Sequence, residues 1–352
     1  MPRLLIAASG TGGHIYPALA LADSLPNSWD IEWLGVPNRL ERELVPKKYN
    51  LTILKVGGLQ GNVFRKIFEC LKLVLAAIQV SILLRRKHID VIFTTGGYIS
   101  APSILGAKLT GIPVLLHESN TIPGKVSRLL GRFCDHVALG IPSAHVYFPE
   151  FKTTFTGTPI RSEFFLKQPL PSWVPVGQGI LILIMGGSQG AQKMNDMVRN
   201  VLPWLLEMDC RVVHLTGKND CFYKNLSQVI AHPNLVVKHF SSEIAVLLQH
   251  ADLAISRAGA GSISELMLTN TPSILIPFPQ STDHHQELNA AYMASFGGAV
   301  IVNQHNPVEL VLKNTLSKLL SSDSLMKMTS NMNNLADLNP EKKIFEIINS
   351  IS

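Results

Sequence analysis

Two glycine-rich turns, each set where an apolar run gives way to a helical pattern, carry the residue types best suited to chemistry in this chain. The first is Ser9, Gly10, Thr11, Gly12, Gly13 and His14; the second is Gly186, Gly187, Ser188, Gln189, Gly190 and Ala191. Glycine permits positive φ and close backbone approach, and a following helix presents free N–H groups at the positive end of its dipole. Such a turn suits a phosphate or a developing anion. His14 stands at the mouth of the first turn, and an imidazole exchanges protons near neutral pH. It is a candidate general base, with helix capping or packing as the plainer reading.

Other polar residues cluster after apolar runs. Ile89 to Thr95 leads into Gly96, Gly97 and Tyr98, and Ile112 to Leu116 leads into His117, Glu118, Ser119 and Asn120. In parallel sheets, ligands bind at the carboxyl ends of the strands. A metal shared by His117 and Glu118 is disfavoured, because neighbours on a strand point to opposite faces. Later, Arg257 to Gly261 form a turn and Ser262 to Leu268 opens the next helix, with Glu265 in its first turn, where a carboxylate suits the dipole and can accept two hydroxyls of a ribose; a plain helix-start glutamate is the other reading. Gln286 and Asn289 are three apart and share a helix face, from which both can hydrogen-bond sugar hydroxyls. A metal between His284 and His285 is the rival idea; neighbouring histidines on a helix diverge by about 100°, and no acidic cluster supports them.

The elements that must hold these residues alternate strand and helix. In the first half, strands are expected at Leu4 to Ala8, Asp30 to Gly35, Ile89 to Thr95 and Ile112 to Leu116, with the first helix from near Ile15. In the second half they are expected at Ile180 to Met185, Val212 to Thr216, Leu235 to Lys238, Leu253 to Ser256 and Ser273 to Pro277. This is an α/β chain of two doubly wound halves, each starting with a strand and a glycine turn, with a site expected between them. Pro159, Pro169, Pro171 and Pro175 loosen the pattern, so the division is 1–158, a linker at 159–179, and 180–330. Glu32 lies in the second strand about 20 positions after the glycine turn, as in dinucleotide folds, but Ile15 occupies the place of that fingerprint's third glycine.

At 352 residues the chain holds two cores, and 46% apolar against 16% charged residues excludes a disordered class. A formal charge of +6 fits an anionic membrane surface or a diphosphate; nucleic acid is not expected, for want of an arginine-rich run interleaved with aromatics. Cys70, Cys134, Cys210 and Cys221 are dispersed and form no C-x-x-C pair, which argues against zinc or a disulfide framework and for a reducing compartment. The first residues enter a strand directly without a leader pattern, so a cytoplasmic location is expected. Between Leu59 and Lys87, Arg65, Lys66 and Lys72 punctuate an apolar stretch, Leu73 to Leu84 is free of charge, and Arg85 to Lys87 close it. That run is too short for a bilayer, which needs about 20 residues. One or two core helices are expected there, with an apolar face rimmed by cations on offer to anionic lipid.

Seven segments, SGTGGH at 9–14, GGYIS at 96–100, HESN at 117–120, GTPIR at 157–161, GGSQGA at 186–191, RAGAGSISE at 257–265 and HQELNA at 285–290, resemble the MurG family in order across nearly the whole chain. Its members are bacterial UDP-N-acetylglucosamine transferases that convert lipid I to lipid II. The resemblance implies a GT-B fold: two Rossmann-like domains with a deep cleft, and a C-terminal helix at about 331–352 returning to the first. It implies that Glu265 binds the ribose, Gly187 and Ser188 the donor diphosphate, and Gln286 with Asn289 the sugar. Ala260, Gly261 and Ser262 would join that site, with backbone near Ser241 at the uracil. Thr11, Gly12, Gly13, Asn120 and Arg161 would complete it from the linker and first domain. Gly96, Gly97 and Tyr98 would hold the acceptor diphosphate.

The implied reaction is an inverting transfer of GlcNAc to the C4 hydroxyl of MurNAc in undecaprenyl-diphosphate-linked MurNAc-pentapeptide. His14 would act as the base, with Glu118 in reserve. No metal or cofactor is implied, and the chain lacks a D-x-D element. The place of work would be the cytoplasmic face of the inner membrane, reached peripherally, with other cell-wall synthesis proteins as partners. Ser9, Ser119 and Thr158 depart from the family's usual glycine, glutamine and asparagine. Rival readings are a UDP-GlcNAc 2-epimerase, another lipid glycosyltransferase of the same fold, and a nucleotide-binding module without activity.

Overall fold

A computed structural model describes the whole chain except residues 38–39, 56–62, 150, 188–189, 221–230, 305–307, 322 and 333–338. It comprises two compact units, Met1–Arg161 with Leu338–Ser352, and Ser162–Asp337.

Unit 1 runs β1 (Arg3–Ala7), α1 (Gly12–Ser24), β2 (Asp30–Gly35), α2 (Glu41–Leu44), β3 (Asn50–Ile53), α3 (Val63–Arg86), β4 (Val91–Thr94), α4 (Ser100–Thr110), β5 (Val114–Glu118), α5 (Lys125–Leu130), β6 (His136–Leu139) and β7 (Thr153–Phe155). All seven strands are parallel, in the order β3-β2-β1-β4-β5-β6-β7. Leu4, Leu5, Ile6 and Ala7 of β1 are fully buried because both sheet faces are covered. Leu4 and Ile6 pack with Ile15, Ala18 and Leu21 of α1, whereas Leu5 and Ala7 pack with Ala76, Val80 and Leu84 of α3. On that second face, a Cβ at Gly106 would lie 2.9 Å from both the Ala77 carbonyl and Val80, so α4 approaches α3 only as glycine.

Unit 2 runs β8 (Leu181–Met185), α6 (Gln192–Glu207), β9 (Arg211–Leu215), β10 (Leu235–Lys238), α7 (Ile244–His250), β11 (Leu253–Ser256), α8 (Ala260–Leu268), β12 (Ser273–Leu275), α9 (His285–Ser295), β13 (Ala299–Ile301), α10 (Val308–Leu320) and α11 (Ser324–Met332). Its parallel sheet has the order β10-β9-β8-β11-β12-β13. Ile182 and Ile184 meet Met194, Val198, Leu202 and Leu205 of α6 and Leu312 and Leu316 of α10.

The last helix, α12 (Pro340–Ile351), belongs to unit 1, and its Ile344, Ile347 and Ile348 join the α1 side of that core. Burying each is worth roughly 1.5–3 kcal/mol. Pro at the first helical position and the Asn339 side chain, which accepts from Lys342 N at 3.1 Å, start the helix.

Three sequence expectations shift. Helix α1 begins at Gly12 rather than near Ile15, which puts His14 inside its first turn. Helix α8 begins at Ala260, so Glu265 lies in the second turn, beyond the strongest part of the dipole. Of the stretch 159–179 expected as linker, residues 162–179 belong to unit 2, with a single 3-10 turn at Ser162–Phe164 and otherwise irregular backbone. Phe164 and Val174 are buried, Gln249 Nε2 donates to the Phe164 and Leu166 carbonyls, and the Trp173 indole N–H donates to Glu243 at 2.8 Å. Packing through irregular, proline-interrupted backbone leaves no periodicity in a sequence, so it read as a tether.

Candidate functional site

In each unit the strand order reverses at one pair, β1/β4 in unit 1 and β8/β11 in unit 2, and that reversal is where open α/β sheets hold ligands. Register brings the turns level. Ala7 pairs with Thr94, so the turns after β1 and β4 start side by side; Met185 pairs with Ser256, which does the same for Gly186 and Arg257. Four glycine turns picked from the sequence thus lie at two switch points.

In unit 1 the turn of residues 8–13 is held from beneath. Ser9 Oγ donates to Glu41 Oε1 at 2.6 Å, Val36 N to the same oxygen at 2.7 Å, and Gly10 N to Glu41 Oε2 at 3.4 Å. Glu41 is fully buried, and the Trp33 indole N–H caps the Ala8 carbonyl at 3.0 Å. Thr11 is the N-cap of α1 by backbone alone: its carbonyl accepts from His14 N and Ile15 N, and its side chain makes no cap bond. Thr11 and Gly13 remain exposed, as a ligand-facing turn requires.

His14 is tied to the end of β4 twice. Its Nδ1 lies 2.7 Å from the Thr95 carbonyl, and Thr95 Oγ1 donates to the His14 carbonyl at 3.0 Å. A carbonyl only accepts, so Nδ1 carries the hydrogen and the neutral ring keeps its lone pair on Nε2. The ring lies over Gly96 and Gly97, whose φ of 90° and 80° are left-handed. A Cβ on Gly96 would sit 3.5 Å from His14 Cε1, and one on Gly97 3.7 Å from Nε2. Tyr98, next in line, is half exposed.

His117 and Glu118 close β5 and do different work on opposite faces. His117 is fully buried, its Nε2 donating to the Gly157 carbonyl at 3.1 Å and its Nδ1 meeting Ser119 Oγ at 3.3 Å. Burial, the proximity of His14 adding to it, lowers its pKa to about 4 and keeps the ring neutral. Glu118 accepts from Asn120 N and Nδ2 through Oε1 and from Gly124 N through Oε2, so it shapes the loop 119–124. Arg161 lies over the Tyr16 ring of α1 at 4.4 Å. The backbone leading to it is fixed by α12, where Glu341 Oε1 accepts from Ile160 N at 2.7 Å.

In unit 2, Gly187 and Gly190 both have φ of 86°, and Gly190 N donates to the Gly187 carbonyl at 2.9 Å. Ser188 lies outside the described residues. Arg257 is buried, and its Nη1 donates to the Ile276 and Pro277 carbonyls and to Gln304 Oε1. Burial lowers its pKa to about 10, which leaves the guanidinium charged at neutral pH and fixed as a brace for the turn. Ala260 is buried, Gly261 has open space where a Cβ would be, and Ser262 and Glu265 are partly exposed on the same helix. Ser241 Oγ accepts from Glu243 N, just before α7.

The two amides of α9 are occupied within the fold. Gln286 Oε1 accepts from Phe278 N at 2.9 Å, and the fully buried Asn289 donates through Nδ2 to the Ala258 carbonyl at 3.2 Å. They tie α9 to the strand ends after β12 and β11. Among the described residues no group of three or more His, Cys, Asp or Glu is placed to hold a metal ion.

Sequence reasoning passed over Glu41, Tyr16 and Thr95. Glu41 sits in a four-residue helix beside Arg42 and Glu43, where a charged run reads as a solvated face. Its one signal was a hydroxyl, Ser9, in a turn otherwise built for small residues.

The glycosyltransferase family 28 N-terminal domain matches residues 4–139, and the family 28 C-terminal domain matches residues 181–345. A UDP-N-acetylglucosamine–N-acetylmuramyl-(pentapeptide) pyrophosphoryl-undecaprenol N-acetylglucosamine transferase of Prochlorococcus marinus (strain NATL1A) is 72% identical, covering 100% of both chains. The enzyme of that name from Synechococcus sp. (strain WH7803) is 52% identical over 100% of this chain and 99% of its own. Among solved structures, Acinetobacter baumannii MurG superposes with a TM-score of 0.78 at 26% identity, covering 99% of this chain and 100% of that one.

Proposed function

Because the chain belongs to glycosyltransferase family 28, among the UDP-N-acetylglucosamine–N-acetylmuramyl-(pentapeptide) pyrophosphoryl-undecaprenol N-acetylglucosamine transferases, we infer that it moves GlcNAc from UDP-GlcNAc to lipid I, giving lipid II for peptidoglycan synthesis. The observation that carries this reading is identity of 72% over the full length of both chains. The protein is a UDP-GlcNAc-dependent hexosyltransferase of GT-B fold.

His14 is the group we assign as general base. The Thr95 carbonyl holds its tautomer, and Nε2 takes the proton of the MurNAc C4 hydroxyl as that oxygen attacks the anomeric carbon of GlcNAc. The bond to the diphosphate oxygen breaks on the opposite side, and its electron pair leaves with UDP, so configuration inverts. Glu118 is the weaker candidate, since both its oxygens already accept from loop N–H groups. Gly96, Gly97 and Tyr98, beside His14, are assigned to the acceptor diphosphate.

In unit 2, the Gly187 turn at the N-terminus of α6 suits the donor diphosphate, and Glu265, in the second turn of α8, is assigned to its ribose. Arg161 offsets charge on the leaving group. Gln286 and Asn289 support the donor site by holding its turns.

Membrane docking rests on α3. No helix among the described residues is long and apolar enough to cross a membrane. Ala76, Ala77, Val80 and Leu84 face the core, while Leu71, Val74, Leu75, Ile78 and Ile82 form an exposed stripe at helical spacing. Exposed Arg85 and Arg86 end it. That pattern suits peripheral attachment to an anionic leaflet, where the undecaprenol of the acceptor resides.

The test is transfer of label from radiolabelled UDP-GlcNAc to a short-chain lipid I analogue, with UDP-Gal as the rival donor. Label on the lipid from UDP-GlcNAc alone is the expected result. Recovery of the label as UDP-ManNAc would overturn the reading in favour of an epimerase.

A further inference from the structure

Beneath the glycine turn of unit 2 lies a buried polar cluster that none of the sequence motifs includes. Asp220, after β9, has a side chain with no solvent exposure, and it meets Asn195 Nδ2 at 2.7 Å and the Arg199 guanidinium. The same Asn195 Nδ2 donates to the Thr216 carbonyl at 2.9 Å. Asn195 Oδ1 faces His214 Nε2 at 3.2 Å; an amide oxygen only accepts, so Nε2 carries the hydrogen and fixes the amide's orientation. Burial lowers the His214 pKa to about 3, so the ring stays neutral.

The cluster reaches the turn through backbone. A Cβ on Gly190 would fall 2.9 Å from the Thr216 carbonyl, and one on Gly217 would fall 2.2 Å from Gly190 Cα. The peptide joining Thr216 to Gly217 is therefore the floor on which the turn rests. Gly217 N donates to the His239 carbonyl on one side, while Asn195 holds Thr216 on the other. Asn195 and Arg199 are four apart on α6, the helix that the turn itself begins, so helix and floor are clamped together.

A carboxylate under a phosphate-binding turn would repel its ligand if left unbalanced. Here the charge is paired with Arg199, which also meets Asp196. A direct contact with an anion is the wrong use for Asp220, and its geometry serves position instead.

We propose that Asp220 and Asn195 are positioning residues for the donor diphosphate, acting through the Thr216–Gly217 floor on the conformation of the turn at Gly187 and Gly190. This rests on the reading of that turn as the diphosphate site.

The test compares inhibition constants of UDP and of uridine, with KM values for both substrates, in wild-type, Asp220→Asn, Asn195→Ala and Gly187→Ala enzymes. Asp220→Asn is near-isosteric, so it reports even if Asn195→Ala fails to fold. Losing a charged hydrogen bond in the floor should weaken UDP about tenfold and raise KM for UDP-GlcNAc similarly, with uridine and acceptor KM changed less than about twofold. An equal loss for uridine and UDP, or no loss for either, would overturn the proposal. Gly187→Ala separates the two levels: strain at positive φ should weaken UDP if the turn binds the diphosphate. If Gly187→Ala leaves UDP binding intact, the reading of the turn itself falls.

Discussion

Replacing Leu75 and Ile82 together by serine should detach the protein from anionic vesicles while leaving its fold and donor binding intact. The two side chains are 60% and 59% exposed, against 58%, 55% and 44% for Leu71, Val74 and Ile78 on the same stripe. Full burial of such a side chain is worth roughly 1.5–3 kcal/mol, so the exposed half of each retains about 1 kcal/mol, or about 5 kcal/mol for the stripe. Removing two of five costs about 2 kcal/mol, a fall of about 30-fold in partition coefficient. Arg85 and Arg86 add about 1 kcal/mol each near an anionic surface, a contribution that salt screens. Cosedimentation with phosphatidylglycerol vesicles at low and high salt measures both terms. Transfer to a water-soluble acceptor analogue should be unchanged, and transfer to vesicle-embedded acceptor should fall. If the double variant partitions within about threefold of wild type, the stripe is not the docking face; if salt has no effect, the cations are not part of it.

Other expectations follow from the two switch points and their supports. His14→Ala should lower kcat by about 10²–10⁴-fold with UDP affinity unchanged, and a full-rate variant would remove His14 as the base. Ser9→Ala should cost about 1.5–3 kcal/mol in urea unfolding, because it strips a hydrogen bond from the fully buried Glu41 carboxylate; an unchanged midpoint would show that Val36 N and Gly10 N suffice. For His117, the folded pKa of about 4 lies below the ordinary value of 6.5, so between those values the unfolded chain takes up a proton that the folded chain rejects. Stability therefore falls as pH drops through that window, by about 2 kcal/mol from His117 alone between pH 7 and pH 5. His117→Gln should flatten that part of the pH dependence of the urea midpoint, and an unaltered slope would place the titration elsewhere.

The strands were the most legible part of the fold. Asp30–Gly35, Leu235–Lys238 and Leu253–Ser256 appear with the expected boundaries, and Leu253–Ser256 is buried throughout, as a parallel strand covered on both faces must be. Helix starts were less legible. Gly12 and Gly13 are poor helix formers by propensity, yet they open α1, since a helix start after a phosphate-type turn needs backbone freedom more than it needs side chains. The turns could be read because their chemistry is local. Their supports could not: Glu41 is 32 positions from Ser9, and Asp220 is 25 from Asn195. Contacts of that separation leave no spacing to read.

The three departures from the family pattern show what a motif position is for. At position 9 the usual glycine contributes freedom of backbone, and here serine adds a donor that the buried Glu41 accepts. At 119 the hydroxyl meets His117 Nδ1, the side of the ring not used by the Gly157 carbonyl. Both substitutions thus bind the machinery to its own scaffold and leave Thr11, Gly13 and Tyr98 to face outward. Thr158 is different: its hydroxyl is buried with no hydrogen-bond partner among the described residues, and a Cβ on Gly140 would fall 2.4 Å from it. There the glycine at 140 and the threonine at 158 are fitted to one another, so the position depends on a neighbour outside the motif. A short hydroxyl can stand in for a larger amide when the space is set by such a neighbour. Thr158→Asn alone should therefore destabilise unit 1, although asparagine is the residue the family pattern would suggest for that place.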